Sequence, residues 1–326
     1  MKEILVHRTF TGRPPFKDRG KRYFAGLGKS IRKYRWMYLM LVLPLTYFVI
    51  FQYLPLWNAQ IAFKDFKPLL GVWKSPFADF AGFEHFISFF RSFYFDQLIN
   101  NTITISFLKL VVGIPMAIIL AIALYETTYK RFRTIVQTVA YLPHFLSWVI
   151  MFGVLLMMLS PGDGLINAII KAMGGKPIAF LTSPDWFRFV VIISDVWKET
   201  GWGTILYLAA LMAIDPTLYE AAAVDGASRL QRIFFISLPG ILPVVAVVTM
   251  LRLGHILNAG FNQIFVLYSL PVYSVGDIID TWVYRQGILD FQFSLATAVG
   301  LFKGVIGLIL VVVSNRIAKR IGGQLY

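Results

Sequence analysis

Apolar residues in this chain come in long blocks separated by short polar stretches. They show neither the two-residue alternation of a half-buried strand nor the 3.6-residue rhythm of a soluble amphipathic helix. Six blocks stand out: Trp36–Leu56, Thr102–Leu124, Ile135–Leu159, Phe187–Ile214, Ile241–Phe261 and Phe293–Ser314. Each approximates the roughly 20 apolar residues that a helix needs to cross the hydrocarbon core of a bilayer. A transmembrane barrel would instead alternate lipid-facing and lumen-facing residues over segments of about ten. The pattern therefore predicts an all-α, polytopic membrane protein with six transmembrane helices.

Composition agrees: 57% of the 326 residues are hydrophobic and 15% charged. The net charge of +14 would point to nucleic acid in a soluble protein. Here its distribution suggests membrane lipid as the surroundings and no nucleic-acid partner. Eleven Lys and Arg fall in the first 35 residues, against only Glu3 and Asp18. Further basic groups are Lys130, Arg131 and Arg133 after the second block, Arg229 and Arg232 after the fourth, and Arg316, Lys319 and Arg320 after the sixth. Basic loops stay on the cytoplasmic side, so both termini are expected there in a multi-pass inner (cytoplasmic) membrane protein. The basic start precedes any apolar run and does not read as a cleavable signal. There is no cysteine, which excludes disulfides and thiolate chemistry. Gly26-Leu27-Gly28-Lys29-Ser30 has the end of a phosphate-binding loop, but Tyr23 stands where that loop needs its first glycine. No nucleotide site is expected.

Small residues recur at helical spacing. Gly113, Ala117 and Ala121 in the second block, and Gly300, Gly304 and Gly307 in the sixth, predict close helix packing. Ionisable side chains inside the blocks are costly unless they face other protein or a water-filled cavity. They are Lys109, His144, Asp195, Lys198, Glu199, Arg252, His255 and Lys303. Asp195 can reach Lys198 and Glu199 from one helix face, either as a structural ion pair or along a path. Arg252, His255, Asn258 and Asn262 would form one polar stripe on the fifth helix, lining a pore or bonding inside the bundle. No second histidine or acid sits at ligand spacing from His255, so no metal site is expected. The candidate path is thus Asp195, Lys198, Glu199, Arg252, His255, Asn258, Asn262 and Lys303. Four basic groups against two acids would suit an acidic sugar, with Trp197, Trp202 and Tyr207 available to stack on its rings. No nucleophile or acid–base pair converges elsewhere, which weighs against a membrane-embedded transferase.

The loop after the fourth block carries local signals. Asp215-Pro216 reads as a helix start, residues 217–224 favour helix, and Gly226 can stop it. Pro239 and Pro243 then lead back into the fifth block. Glu220-Ala221-Ala222, three residues, Gly226, nine residues, Ile236, one residue and Leu238-Pro239 match the EAA motif. With it, the chain resembles the permease subunits of binding-protein-dependent ABC importers.

Leu39 to Phe48, Ala62 to Phe66, Tyr141 to Trp148 and Trp197 to Leu211 resemble the carbohydrate group, particularly importers of polysaccharide fragments of the alginate type. The resemblance implies a type I permease fold. Its divisions would be a basic cytoplasmic tail (1–35), a first helix with an outer loop (36–94), a permease core (95–316) with a coupling loop at about 215–239, and a cytoplasmic tail (317–326). Glu220, Ala221, Ala222, Asp225 and Gly226 would couple to an ATPase. The implied partners are a second homologous permease, two ATPase subunits holding ATP and Mg, and a solute-binding protein that is periplasmic or lipid-anchored. The substrate expectation is an oligosaccharide, with peptides or other anionic solutes as the alternative.

Overall fold

The computed structural model describes residues 32–319. Most of the basic amino tail, with the glycines and Lys29 of the loop-like segment, lies outside them, as do residues 320–326. The chain divides into two compact units, Met1–Gln60 and Ile61–Tyr326.

Four helices are long and apolar enough to cross a membrane unbroken: α1 (Arg35–Phe63), α2 (Phe95–Glu126), α7 (Arg229–Gly254) and α9 (Phe293–Ala318). Two bent pairs bring the crossings to six when each pair counts as one. In the first, α3 (Lys130–Phe145) meets α4 (Trp148–Leu159) at 109°. In the second, α5 (Pro184–Met212) meets α6 (Pro216–Val224) at 69°. A helix α8 (Phe261–Leu267) follows α7. No strand occurs among the described residues, only an isolated bridge between Lys64 and Phe77.

The third crossing is therefore not the continuous helix that its apolar run suggests. Pro143, with no N–H to give, sits in a tighter 3-10 turn (Leu142–Phe145) that ends α3, and the helix breaks at Leu146 and Ser147, which are extended. Ser147 restarts it, its side chain accepting the Ile150 N–H at 3.3 Å. The twelve residues of α4 rise about 18 Å at 1.5 Å per residue, too short for the bilayer core alone. Prolines act more gently in α1 and α7. A single wide turn precedes each of Pro55 and Pro239, the Leu54 N–H reaching the Val49 carbonyl and that of Leu238 the Ile233 carbonyl. One extra residue in the turn relieves the clash and keeps the helix whole.

The fifth crossing also differs from expectation. It starts at Arg229, twelve residues earlier than the apolar run, because Ser228 and Gln231 form a reciprocal capping box there. It ends at Gly254; a 3-10 turn (Ile256–Asn258) follows, and Ala259 (φ 46°) and Gly260 (φ 86°) then take left-handed conformations and turn the chain before α8. His255, Asn258 and Asn262 thus do not continue a helical stripe from Arg252.

The unit from Ile61 onward is held by three apolar clusters. One joins Ile105, Leu155, Phe187, Ile264 and Ile278. A second joins Ile114, Leu124, Tyr207, Leu211 and Ile241. The third joins Phe89, Leu98, Leu257, Trp282 and Leu295. Gly113, Ala117 and Ala121 are buried as expected, and the Thr204 hydroxyl of α5 donates to the Ala117 carbonyl at 3.2 Å. The glycine stripe of α9 is mixed. Gly307 packs against the backbone of Gly254, whereas Gly300 and Gly304 face open space.

Candidate coupling loop and translocation path

At one end of the bundle α6 is built by its caps. The Asp215 side chain accepts the Thr217 N–H at 3.0 Å, which holds its carboxyl below the usual aspartate range, and Pro216 occupies the first turn. At the far end Gly226 takes φ +78°. The Gly226 N–H reaches the Ala223 carbonyl at 3.1 Å and the Ala227 N–H the Ala222 carbonyl at 2.8 Å. This is a Schellman termination, which a residue with a Cβ adopts only under strain.

Tyr219 ties the helix down. Its hydroxyl meets Ser237 at 2.9 Å and its ring lies 5.9 Å from that of Tyr125 at the end of α2. The basic loop that follows α2 therefore shares this end with α6. Glu220, Ala221, Asp225 and Gly226 are exposed, and Ala222 is half-buried. Leu218 and Val224 are 52% and 88% exposed, an apolar surface left open on a helix that its caps make rigid.

Deeper in the bundle, three cavities of about 920, 460 and 460 Å³ share Asn258. Their walls carry most of the embedded charges, and most are paired across the fold. Lys109 Nζ lies 3.1 Å from Asp195, donates to the Ala259 carbonyl at 3.0 Å and meets Gln263. Gln263 in turn donates to the Val191 carbonyl at 2.7 Å and to Ser194 at 2.9 Å. Lys109 thus fastens the turn between α7 and α8 to α2 and α5. Asp195 does not pair with Lys198, as helical spacing allows.

Lys198 instead donates to the Pro143 carbonyl at 3.2 Å, which also accepts the Leu146 N–H, and to that of His144 beside the break before α4, and lies 3.9 Å from Glu199. Glu199 meets His144 Nδ1 at 3.0 Å, and the His144 ring stacks on Trp202 at 4.5 Å. Lys303 pairs with Asp280. Arg252, His255, Asn258 and Asn262 have no side-chain hydrogen bond or ion pair among the described residues.

A sequence model for the binding-protein-dependent transport system inner membrane component family matches residues 113–323. The chain belongs to that family. This permease is 43% identical over 291 residues to Protein LplB of Bacillus subtilis (strain 168), covering 89% of this chain and 91% of that one. It is 42% identical over 290 residues to the polygalacturonan/rhamnogalacturonan transport system permease protein YteP of the same strain, covering 89% of each. A crystal structure of a bacterial ABC transporter involved in the import of the acidic polysaccharide alginate contains a chain with 42% identity and a TM-score of 0.82. The match covers 90% of this chain and 98% of that one. A second structure of a bacterial alginate ABC transporter, in complex with alginate pentasaccharide-bound periplasmic protein, gives 42% identity, a TM-score of 0.83 and coverage of 91% and 98%. The fold is that of a type I ABC importer permease, a transport subunit rather than an enzyme.

Of the sequence-predicted path residues, the permease brings Asp195, Glu199, Arg252, His255 and Asn258 to one cavity and Asn258, Asn262 and Lys303 to another. Lys198 lines neither and works at the break before α4. The three aromatics expected to stack on sugar are elsewhere. Tyr207 is buried in the core, Trp202 covers His144, and Trp197 borders a separate apolar pocket. The largest cavity presents Trp148, Phe261, Tyr284 and Phe293 instead. Asp280 and Gln263 were also missed. Asp280 lies outside the apolar blocks, while Gln263, two residues past the fifth, was open to view as a polar residue beside Asn262.

Proposed function

We propose that this permease forms half of the path by which an ATP-driven importer carries an oligosaccharide across the inner membrane. In this reading α6 is the cytoplasmic lever on which an ATPase pulls. The capped, exposed α6 with its open apolar residues Leu218 and Val224 is the observation that carries it. Lys130, Arg131 and Arg133 at the same end support a cytoplasmic location, with both termini inside.

ATP and Mg would bind in two partner ATPase subunits, and a second homologous permease would complete the path. A solute-binding protein would deliver the sugar from outside, a reading supported by the alginate transporter's complex with an alginate pentasaccharide-bound periplasmic protein. Nucleotide shifts the transporter between inward and outward states only through a difference in affinity for the two. The tight anchoring of α6 at Tyr219 and its rigid caps transmit that difference into α5 and α7. The aromatic and polar walls of the shared cavities suit a sugar better than a peptide. Rings of Trp148, Phe261 and Tyr284 offer flat faces, and Asn258 and Asn262 offer unpartnered amides.

The assembled transporter in vesicles, given ATP and binding protein, should accumulate radiolabelled oligosaccharides and leave peptides outside. Accumulation of peptides with no sugar uptake would overturn the substrate class.

A further inference from the structure

The charges around the three cavities nearly cancel, and the remainder is localised. Asp195 faces Lys109, Glu199 faces His144 and Lys198, and Asp280 faces Lys303. Arg252 is the basic group in these walls without an acidic partner among the described residues. Its guanidinium lies half-buried beside the cavity, between α2 and α5: a Cβ built on Gly113 would lie 3.5 Å from Nη1, and one on Gly203 3.7 Å from Nη2, both ordinary contacts.

The same wall carries other groups without partners: the buried hydroxyl of Ser106, the His255 ring and the Asn258 amide. Ser106 is buried, Arg252 half-buried, and His255 and Asn258 exposed on that wall, so the cation and these polar groups are open to a ligand that can bond them.

We propose that Arg252 reads the carboxylate of an acidic sugar inside the membrane, while Ser106, His255 and Asn258 bond the ring hydroxyls. This rests on the reading of these cavities as the translocation path. A planar guanidinium matches a carboxylate with two parallel hydrogen bonds. One unpaired positive charge suits one carboxylate, whereas a phosphate dianion would leave negative charge unmatched. A neutral sugar would leave the cation uncompensated. The adjoining cavity shares Asn258 and Gly260 and supplies the rings of Trp148, Phe261 and Tyr284 against which neighbouring sugar units can lie. Lys303, locked to Asp280, takes no part in reading charge. The earlier expectation of a broadly cationic cavity thus narrows to one residue.

The test uses the complete transporter in vesicles and two probes: a uronate trisaccharide and the same trisaccharide with its carboxyls reduced to alcohols. Wild type is expected to transport the acidic probe faster. Arg252→Gln should lower the acidic-to-neutral ratio at least tenfold, and Arg252→Lys should give an intermediate ratio. The ratio is internal to each preparation, so a drop in assembled protein does not imitate the effect. If Arg252→Gln fails to assemble, the Arg252→Lys ratio decides. A ratio unchanged by substitution at Arg252 would overturn the assignment to that residue and leave the path reading standing. Transport of neither probe by wild type would overturn the path reading, and the proposal with it.

Discussion

The coupling loop and the mid-membrane cavities are built from determinants at very different sequence distances. In the loop, the Asp215 cap acts two residues away, the Schellman bonds at Gly226 reach three and five residues back, and the Ser228 capping box closes within three. In the cavities Lys109 meets Asp195, His144 meets Glu199, and Lys303 meets Asp280 across the fold. The loop is a device that could be moved as a piece. The cavity charges exist only when the bundle is assembled, so a change at one is felt on another helix.

The largest effect is expected where the local device fails. Gly226→Val puts a β-branched residue at φ +78°, which costs at least the roughly 1–2 kcal/mol typical of a left-handed residue with a Cβ and shifts the end of α6. Nothing crowds the position otherwise, so insertion and folding of the bundle should survive. Substrate-stimulated ATP hydrolysis by the assembled transporter should be abolished. Normal stimulation would mean that α6 does not carry the coupling.

In the cavities the damage should be to stability and should be shared between helices. Lys109→Met strands Asp195 and frees the Ala259 carbonyl, and breaking a buried pair costs about 3–5 kcal/mol. The solubilised protein should melt at a clearly lower temperature, and Asp195→Asn in the same chain should recover part of the loss. Two independent, additive losses would show that the pair is not coupled.

A smaller effect separates the two regions by pH. The Thr217 N–H favours the ionised Asp215, whose carboxyl is held below its ordinary value. The sign follows: the cap's contribution is complete at neutral pH and fades as pH falls through the depressed value. The protection of the Thr217 amide, taken as its exchange rate relative to the intrinsic rate at the same pH, should fall on acidification, and Asp215→Asn should remove that dependence while keeping an acceptor. An equal fall in both proteins would assign the effect to another group.

The same contrast explains what could be read without coordinates. Six apolar runs, the cap at Asp215 and the stop at Gly226 were legible because each is written in consecutive residues. The break after Phe145 was hidden by apolar residues on both sides of it, which continue the hydropathy without continuing the helix. The stripe from Arg252 to Asn262 misled because its period is helical, while the left-handed turn at Ala259, a residue that seldom takes that conformation, leaves no compositional mark. The partner of Asp195 was left open for a related reason. Spacing along one helix offers Asp195 a neighbour in Lys198, but packing of α2 on α5 brings Lys109 closer.

Because the chain has no cysteine, one introduced thiol reports on one place. Glu220→Cys in the assembled transporter, treated with a membrane-impermeant thiol reagent and then with a short bifunctional cross-linker, tests the coupling claim directly. Labelling from the cytoplasmic side alone and a covalent adduct with the ATPase subunit are the predicted results, with Met173→Cys, in the loop that joins α4 to α5, labelled from outside instead. Labelling of position 220 from outside, or no adduct with the ATPase in the intact complex, would contradict the account.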